Sequence, residues 1–151
     1  MPKLELPEDD HFARQCTGKR GKDFSDDEDG YHQPPWLHGR AFQPTSSNPH
    51  LSGLWVERVA DTWEKELERV KDELKNSERT IRRSYQLAIV QIRAMKDLGR
   101  RFSRDLHVLH TPDNEANLPS HAEVRGIYPD DEALHQMLAD IALIEPIYSG
   151  P

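Results

Sequence analysis

Residues 63–109 read WEKELERVKDELKNSERTIRRSYQLAIVQIRAMKDLGRRFSRDLHVL, and this stretch decides the expected fold. Leu67, Leu74, Ile81, Ala88, Met95, Phe102 and Leu109 recur at every seventh position. Trp63 and Val70 complete the first heptads as the alternate core position. Ser77 and Ser84 then fall in that register, and the seam passes to Tyr85, Ile92, Gly99 and Leu106. Such a shift is a stutter, which locally unwinds a coiled coil. Leu87, Val90, Ala94 and Leu98 form a second apolar face at helical spacing. A helix apolar on two sides is buried on two sides.

Outward from this stretch, Pro49 precedes it, Ser52 is a suitable N-cap, and no proline follows until Pro112. The pattern therefore predicts one amphipathic helix over about 52–110, roughly 85 Å long at about 1.5 Å per residue. Charge along it is polarised. From Arg79 to Arg104, Arg79, Arg82, Arg83, Arg93, Lys96, Arg100, Arg101 and Arg104 face a single acid, Asp97. Arg82, Arg93, Lys96, Arg100 and Arg104 fall along one side, a stripe suited to phosphates or to an acidic protein surface.

The flanks differ in character. Residues 1–50 are rich in Pro, Gly, Asp, His and Ser, with isolated large side chains at Phe12, Phe24, Tyr31, Trp36, Leu37 and Phe42. Low hydrophobicity and dense charge predict an extended or disordered arm with spaced anchors for another protein's surface. Residues 111–151 begin as a loop, then carry a short helix over about 130–144, started by Pro129-Asp130-Asp131-Glu132. Its apolar face is Leu134, Met137, Leu138, Ile141 and Ala142. This segment has Arg125 as its one base, so it is expected to fold back on the basic half of the long helix. The three segments, 1–50, 51–110 and 111–151, make an all-α expectation: a coiled-coil-like helix, a short C-terminal helix and an irregular arm.

Composition fits an assembly protein. The chain has 151 residues, 35% hydrophobic and 31% charged, with a formal net charge of −7. So polar a chain buries a modest core, and partners are expected to complete it. One cysteine, Cys16, excludes an intrachain disulfide. No apolar run approaches the roughly 20 residues that span a bilayer, and no leader pattern is visible at the N-terminus. An intracellular or virion-internal, non-secreted protein without membrane insertion is expected.

Chemistry is sparse. Gly18-Lys19-Arg20-Gly21-Lys22-Asp23 resembles a phosphate loop but lacks its spacing, with Asp23 where Ser or Thr belongs. His107, His110 and His121, with Asp113 or Glu115, are the best metal candidates, but histidines near a helix C-terminus have a plainer role at the dipole. Cys16 lacks an ordered basic partner for a nucleophile role. No catalytic residue, metal or cofactor is implied. Ser25-Asp26-Asp27-Glu28-Asp29 resembles an acidic casein kinase consensus, which makes Ser25 a candidate phosphosite. The expected function is a non-enzymatic scaffolding subunit that binds other protein subunits, its own copies included. A nucleic-acid-associated assembly factor using the basic stripe is the alternative.

Overall fold

The computed structural model describes residues 4–45, 50–58 and 63–148. Strands His11–Cys16 (β1), Leu51–Val56 (β4), Gln86–Gln91 (β5), His107–His110 (β6), His121–Arg125 (β7) and Leu143–Pro146 (β8) form a six-stranded sheet in the order β6-β7-β4-β1-β5-β8. Every neighbouring pair is antiparallel. Phe24–Ser25 (β2) and Trp36–Leu37 (β3) pair separately. Helices are Trp63–Lys75 (α1), Ile92–Arg101 (α2) and Glu132–Ile141 (α3), with a 3-10 turn at Gly39–Phe42.

The all-α expectation is overturned, and with it the coiled coil and the helical bundle. The span 52–110 holds three strands and two helices rather than one rod. The decisive stretch is Gln86–Gln91. Ala88 and Val90 join one apolar cluster, whereas Leu87 and Ile89 join another. Alternation at period two is a strand buried on both faces, and this is what had the look of a second helix face. Two stops end the helices without proline. The Ser77 hydroxyl donates to the Leu74 carbonyl at 2.6 Å after α1. Beyond α2, Ser103 takes a left-handed φ of 58°, and the Arg104 N–H returns to the Gly99 carbonyl at 2.9 Å. That arrangement terminates a helix by satisfying its last carbonyls.

Within each helix the apolar spacing is used as written. Leu67, Val70 and Leu74 of α1 are buried with Ala13, Leu54, Val56, Leu87 and Ile89 on one face of the sheet. Ile92, Met95 and Leu98 of α2, and Leu134 and Leu138 of α3, are buried on the other. The result is three layers, α1 / sheet / α2 with α3. Apolar burial contributes roughly 25 cal/mol per Å², and both faces of β5 supply it.

The N-terminal segment is not an irregular arm. β1 lies inside the sheet between β4 and β5, and Phe12 and Phe42 are fully buried. Residues ahead of it add to the β6 edge. The Leu6 N–H donates to Val108 and the His110 N–H to Leu4, each at 2.8 Å. Among the described residues, no strand covers the outer side of β8 at the other edge. Nor is any helix among them long and apolar enough to cross a membrane.

Candidate anion-binding cleft

β1 and β4 part company halfway. His11, Phe12 and Ala13 pair with Val56, Trp55 and Leu54. Beyond that, β1 stays with β5 as far as Cys16, and β4 turns to β7 from Leu54 to Leu51. Gly53 stands at the parting. A Cβ there would lie 2.7 Å from the Ala13 carbonyl oxygen and inside the Phe12 ring. Glycine thus lets the Phe12 ring lie over the β4 backbone.

Arg14 spans the fork. Its Nε donates to the Ala41 carbonyl at 2.7 Å, and its Nη1 donates to the Ser52 carbonyl. Among the described residues no carboxylate is ion-paired with it. Burial pulls the guanidinium pKa down, Asp23 acts in the opposite direction, and Arg79 adds to the fall. A mostly buried cation bonded only to neutral acceptors is undercompensated, which is costly unless an anion arrives.

Open clefts flank Arg14 on both sides. One, of about 440 Å³, is lined by Lys22, Asp23, Arg40, Thr17, Gln43 and Tyr85 among others. The second, of about 400 Å³, has Arg79, Thr80, Ser52 and Gln15 in its wall. Both volumes are in the range of small-ligand sites, roughly 300–1,000 Å³. Four cations, Arg14, Lys22, Arg40 and Arg79, thus meet one carboxylate, Asp23. That carboxylate is occupied by the Thr17 N–H at 2.9 Å, and the Asp23 N–H returns to the Thr17 hydroxyl. The reciprocal pair fixes the 17–23 turn. The turn touches the 76–85 loop, since a Cβ on Gly18 would lie 2.7 Å from the Ser84 carbonyl oxygen. Lys19, Arg20, Arg82 and Arg83 belong to the same two loops. Arg83 lies over the Tyr148 ring, and none of the four is ion-paired among the described residues.

The basic stripe expected from the sequence is dispersed. Arg93 pairs with Asp9 at 2.7 Å and Glu8 at 3.5 Å. Lys96 pairs with Glu5, Arg100 with Asp97, and Arg104 holds Asp131 through both carboxylate oxygens. Only Arg82 stands elsewhere, in the loop near the fork. Sequence reasoning weighed Gly18–Asp23 as a phosphate loop lacking the right spacing, and missed Arg14, Arg40 and their meeting with Arg79. A lone Arg inside an apolar-rich strand was the available signal.

The remaining expected sites are also redistributed. The heptad seam divides between two cores: Trp63, Leu67, Val70, Leu74, Ile81 and Tyr85 serve one, and Ala88, Ile92, Met95, Phe102 and Leu106 the other. Leu109 is on β6. Leu87 and Val90 fall on opposite sides of the sheet, with Ala94 and Leu98 on α2. On α3, Leu134 and Leu138 are buried, Met137 is partly so, and Ile141 is 47% exposed. Ser25 is buried, and its hydroxyl accepts from the Asp27 N–H at 3.2 Å. His107 and His110 lie on a strand rather than a helix end, bound to Glu5 and to the Pro119 carbonyl respectively. No group of three or more His, Cys, Asp or Glu among the described residues is arranged for a metal ion. Burial pushes the Cys16 thiol up to about 12, far from the thiolate a nucleophile needs.

Four of the expected arm anchors, Phe24, Tyr31, Trp36 and Leu37, line a separate groove of about 730 Å³ with Asp140 and Ile144. His32 stacks on Trp36 at 4.4 Å and bridges Asp29 at 2.6 Å and Asp140 at 2.8 Å. These hydrogen bonds, that to Asp29 first, raise the imidazole pKa. The Asp29 carboxyl falls to about 2 through its bonds with His32 and with the Tyr31 and His32 N–H groups.

Fold and cleft together define an α+β domain with an antiparallel sheet and a cationic fork. Comparison with family models, curated proteins and solved structures gave no match to this chain.

Proposed function

We propose that this protein is a non-enzymatic binding module whose basic end docks a phosphate-bearing polymer, a nucleic-acid strand being the class that fits. One observation carries the reading. Arg14, Lys22, Arg40 and Arg79 line the clefts at the fork, and Arg20, Arg82 and Arg83 lie on the two loops that meet beside it, all without an ion pair among the described residues, in a chain of net charge −7. An acidic protein that keeps its bases together and unpaired at one end presents a local field opposite to its average. A phosphate about 4 Å from one such cation gains about 4 kcal/mol near a protein surface before desolvation is subtracted. Repeated contacts of this kind drive polyanion binding through counterion release. The reading keeps the nucleic-acid alternative but moves it from the α2 stripe to the fork. The long helix through which a scaffolding subunit would assemble is not present among the described residues.

The test is fluorescence anisotropy with a labelled single-stranded oligonucleotide across a salt series. Binding at low salt should weaken log-linearly as salt rises. Arg82→Glu with Arg83→Glu should weaken it at least tenfold, about the loss of 1.4 kcal/mol. Absence of binding at low salt, or indifference to both reversals, refutes the proposal.

A further inference from the structure

We propose a second binding surface, at the uncovered edge strand β8, which takes an extended basic peptide by strand addition. The backbone of an edge strand is a template for another strand. This chain uses that solution at its other edge, where residues 4–6 add to β6. Among the described residues, β8 pairs with β5 alone. Its side chains alternate across the sheet, and each side meets a groove. Ile144 lines the groove of about 730 Å³ with Tyr31, Trp36 and Asp140. Leu143, the preceding residue, lines one of about 340 Å³ with Trp63 and Ile141. Two grooves flanking one strand at consecutive residues match the period-two side chains of an added strand. Among the described residues neither groove is capped: Tyr31 is 93% exposed, Ile141 47% and Leu143 46%.

Charge selects the occupant. Asp140 is in the larger groove, Asp26, Asp27, Glu28 and Asp29 follow one another on the loop beside it, and Glu145 is on β8 itself. The Trp36 indole N–H is anchored to the Asp27 carbonyl at 2.9 Å, which holds that loop against the aromatic wall. Lys19 is also in the groove, and His32 there already bonds Asp29 and Asp140. A peptide alternating Lys or Arg with aliphatic residues meets Asp26, Asp27, Glu28 and Glu145, which have no ion pair among the described residues, and fills the grooves. A second copy of this chain would bring its own acidic loop against the first, so it is disfavoured.

Amide hydrogen exchange at Ile144, whose N–H faces away from β5, tests this, with a synthetic alternating Lys–Val peptide and its Glu–Val counterpart as probes. The expected result is protection by Lys–Val alone, with binding weakened roughly tenfold in Tyr31→Ala/Leu143→Ala, two exposed positions that leave the core intact. Protection by both peptides equally, or by neither, overturns the proposal. So does protection that rises with protein concentration in the absence of peptide, which would assign the edge to a second copy.

Discussion

The bases of α2 and the bases around the fork differ in what answers them. Arg93, Lys96 and Arg100 sit on a helix flanked by Glu8, Asp9, Glu5 and Asp97, and Arg104 closes on Asp131. The first group is spent inside the chain: Glu5, Glu8 and Asp9 tie the segment ahead of β1 to α2, and Asp131 ties the start of α3 to the end of α2. Arg14 bonds only to carbonyls, and the surrounding loops hold Asp23 and Glu78 as their acids. Equal residue types thus serve cohesion in one region and stand open to a partner in the other. Number of bases does not distinguish a binding surface; the carboxylates nearby do.

Substitutions can break or sharpen this contrast. Arg14→Ala should have the largest effect, because Arg14 belongs to both categories. Removing charged donors from two carbonyls costs about 3 kcal/mol, and polyanion binding should fall as well. Urea denaturation beside anisotropy measures the two losses. Asp131→Ala should cost about 2 kcal/mol, since its carboxylate accepts from Arg104 and from the Tyr128 N–H. Binding should be unchanged in that variant, and a binding loss would erase the distinction.

Arg82→Ala with Arg83→Ala should change stability by no more than about 0.5 kcal/mol while weakening the oligonucleotide complex. The smallest effect is a pH dependence in the paired region. The Glu5 hydrogen bond raises the His107 pKa, with a smaller contribution from Asp105. The stabilisation is therefore complete below the unfolded value of about 6.5 and disappears as pH climbs through the higher folded value. A shallow fall in Tm over that window, absent in His107→Gln, is expected. Exposure keeps it small.

The helical stripes of α1 and α2 were legible because i, i+3, i+4 spacing marks the buried side of any amphipathic helix. Trp63, Leu67, Val70 and Leu74 share one face of α1, which packs against the sheet of the same chain. The error was continuity. Neither Ser77 nor Ser103 is a proline or glycine, yet each marks a stop through hydrogen bonds that spacing does not reveal. Leu87 to Val90 is a short apolar run, and such a run suits a buried helix segment and a buried strand equally. β1 was less legible still. Arg14 and Gln15 interrupt its apolar pattern, and its partners lie some forty and seventy-five residues away.

By itself, the sequence marked apolar positions that share a face within α1 and within α2, and a helix start at the Pro129–Glu132 turn, but not where α1 and α2 end. It also determined the charge inventory and the single cysteine. Tertiary structure alone decided which apolar runs became strands, because a strand's hydrogen bonds are made to residues distant in the chain. It alone decided which bases were answered, because Coulomb attraction acts across space, and only folding puts Glu5 beside Lys96 and leaves Arg14 in an open fork.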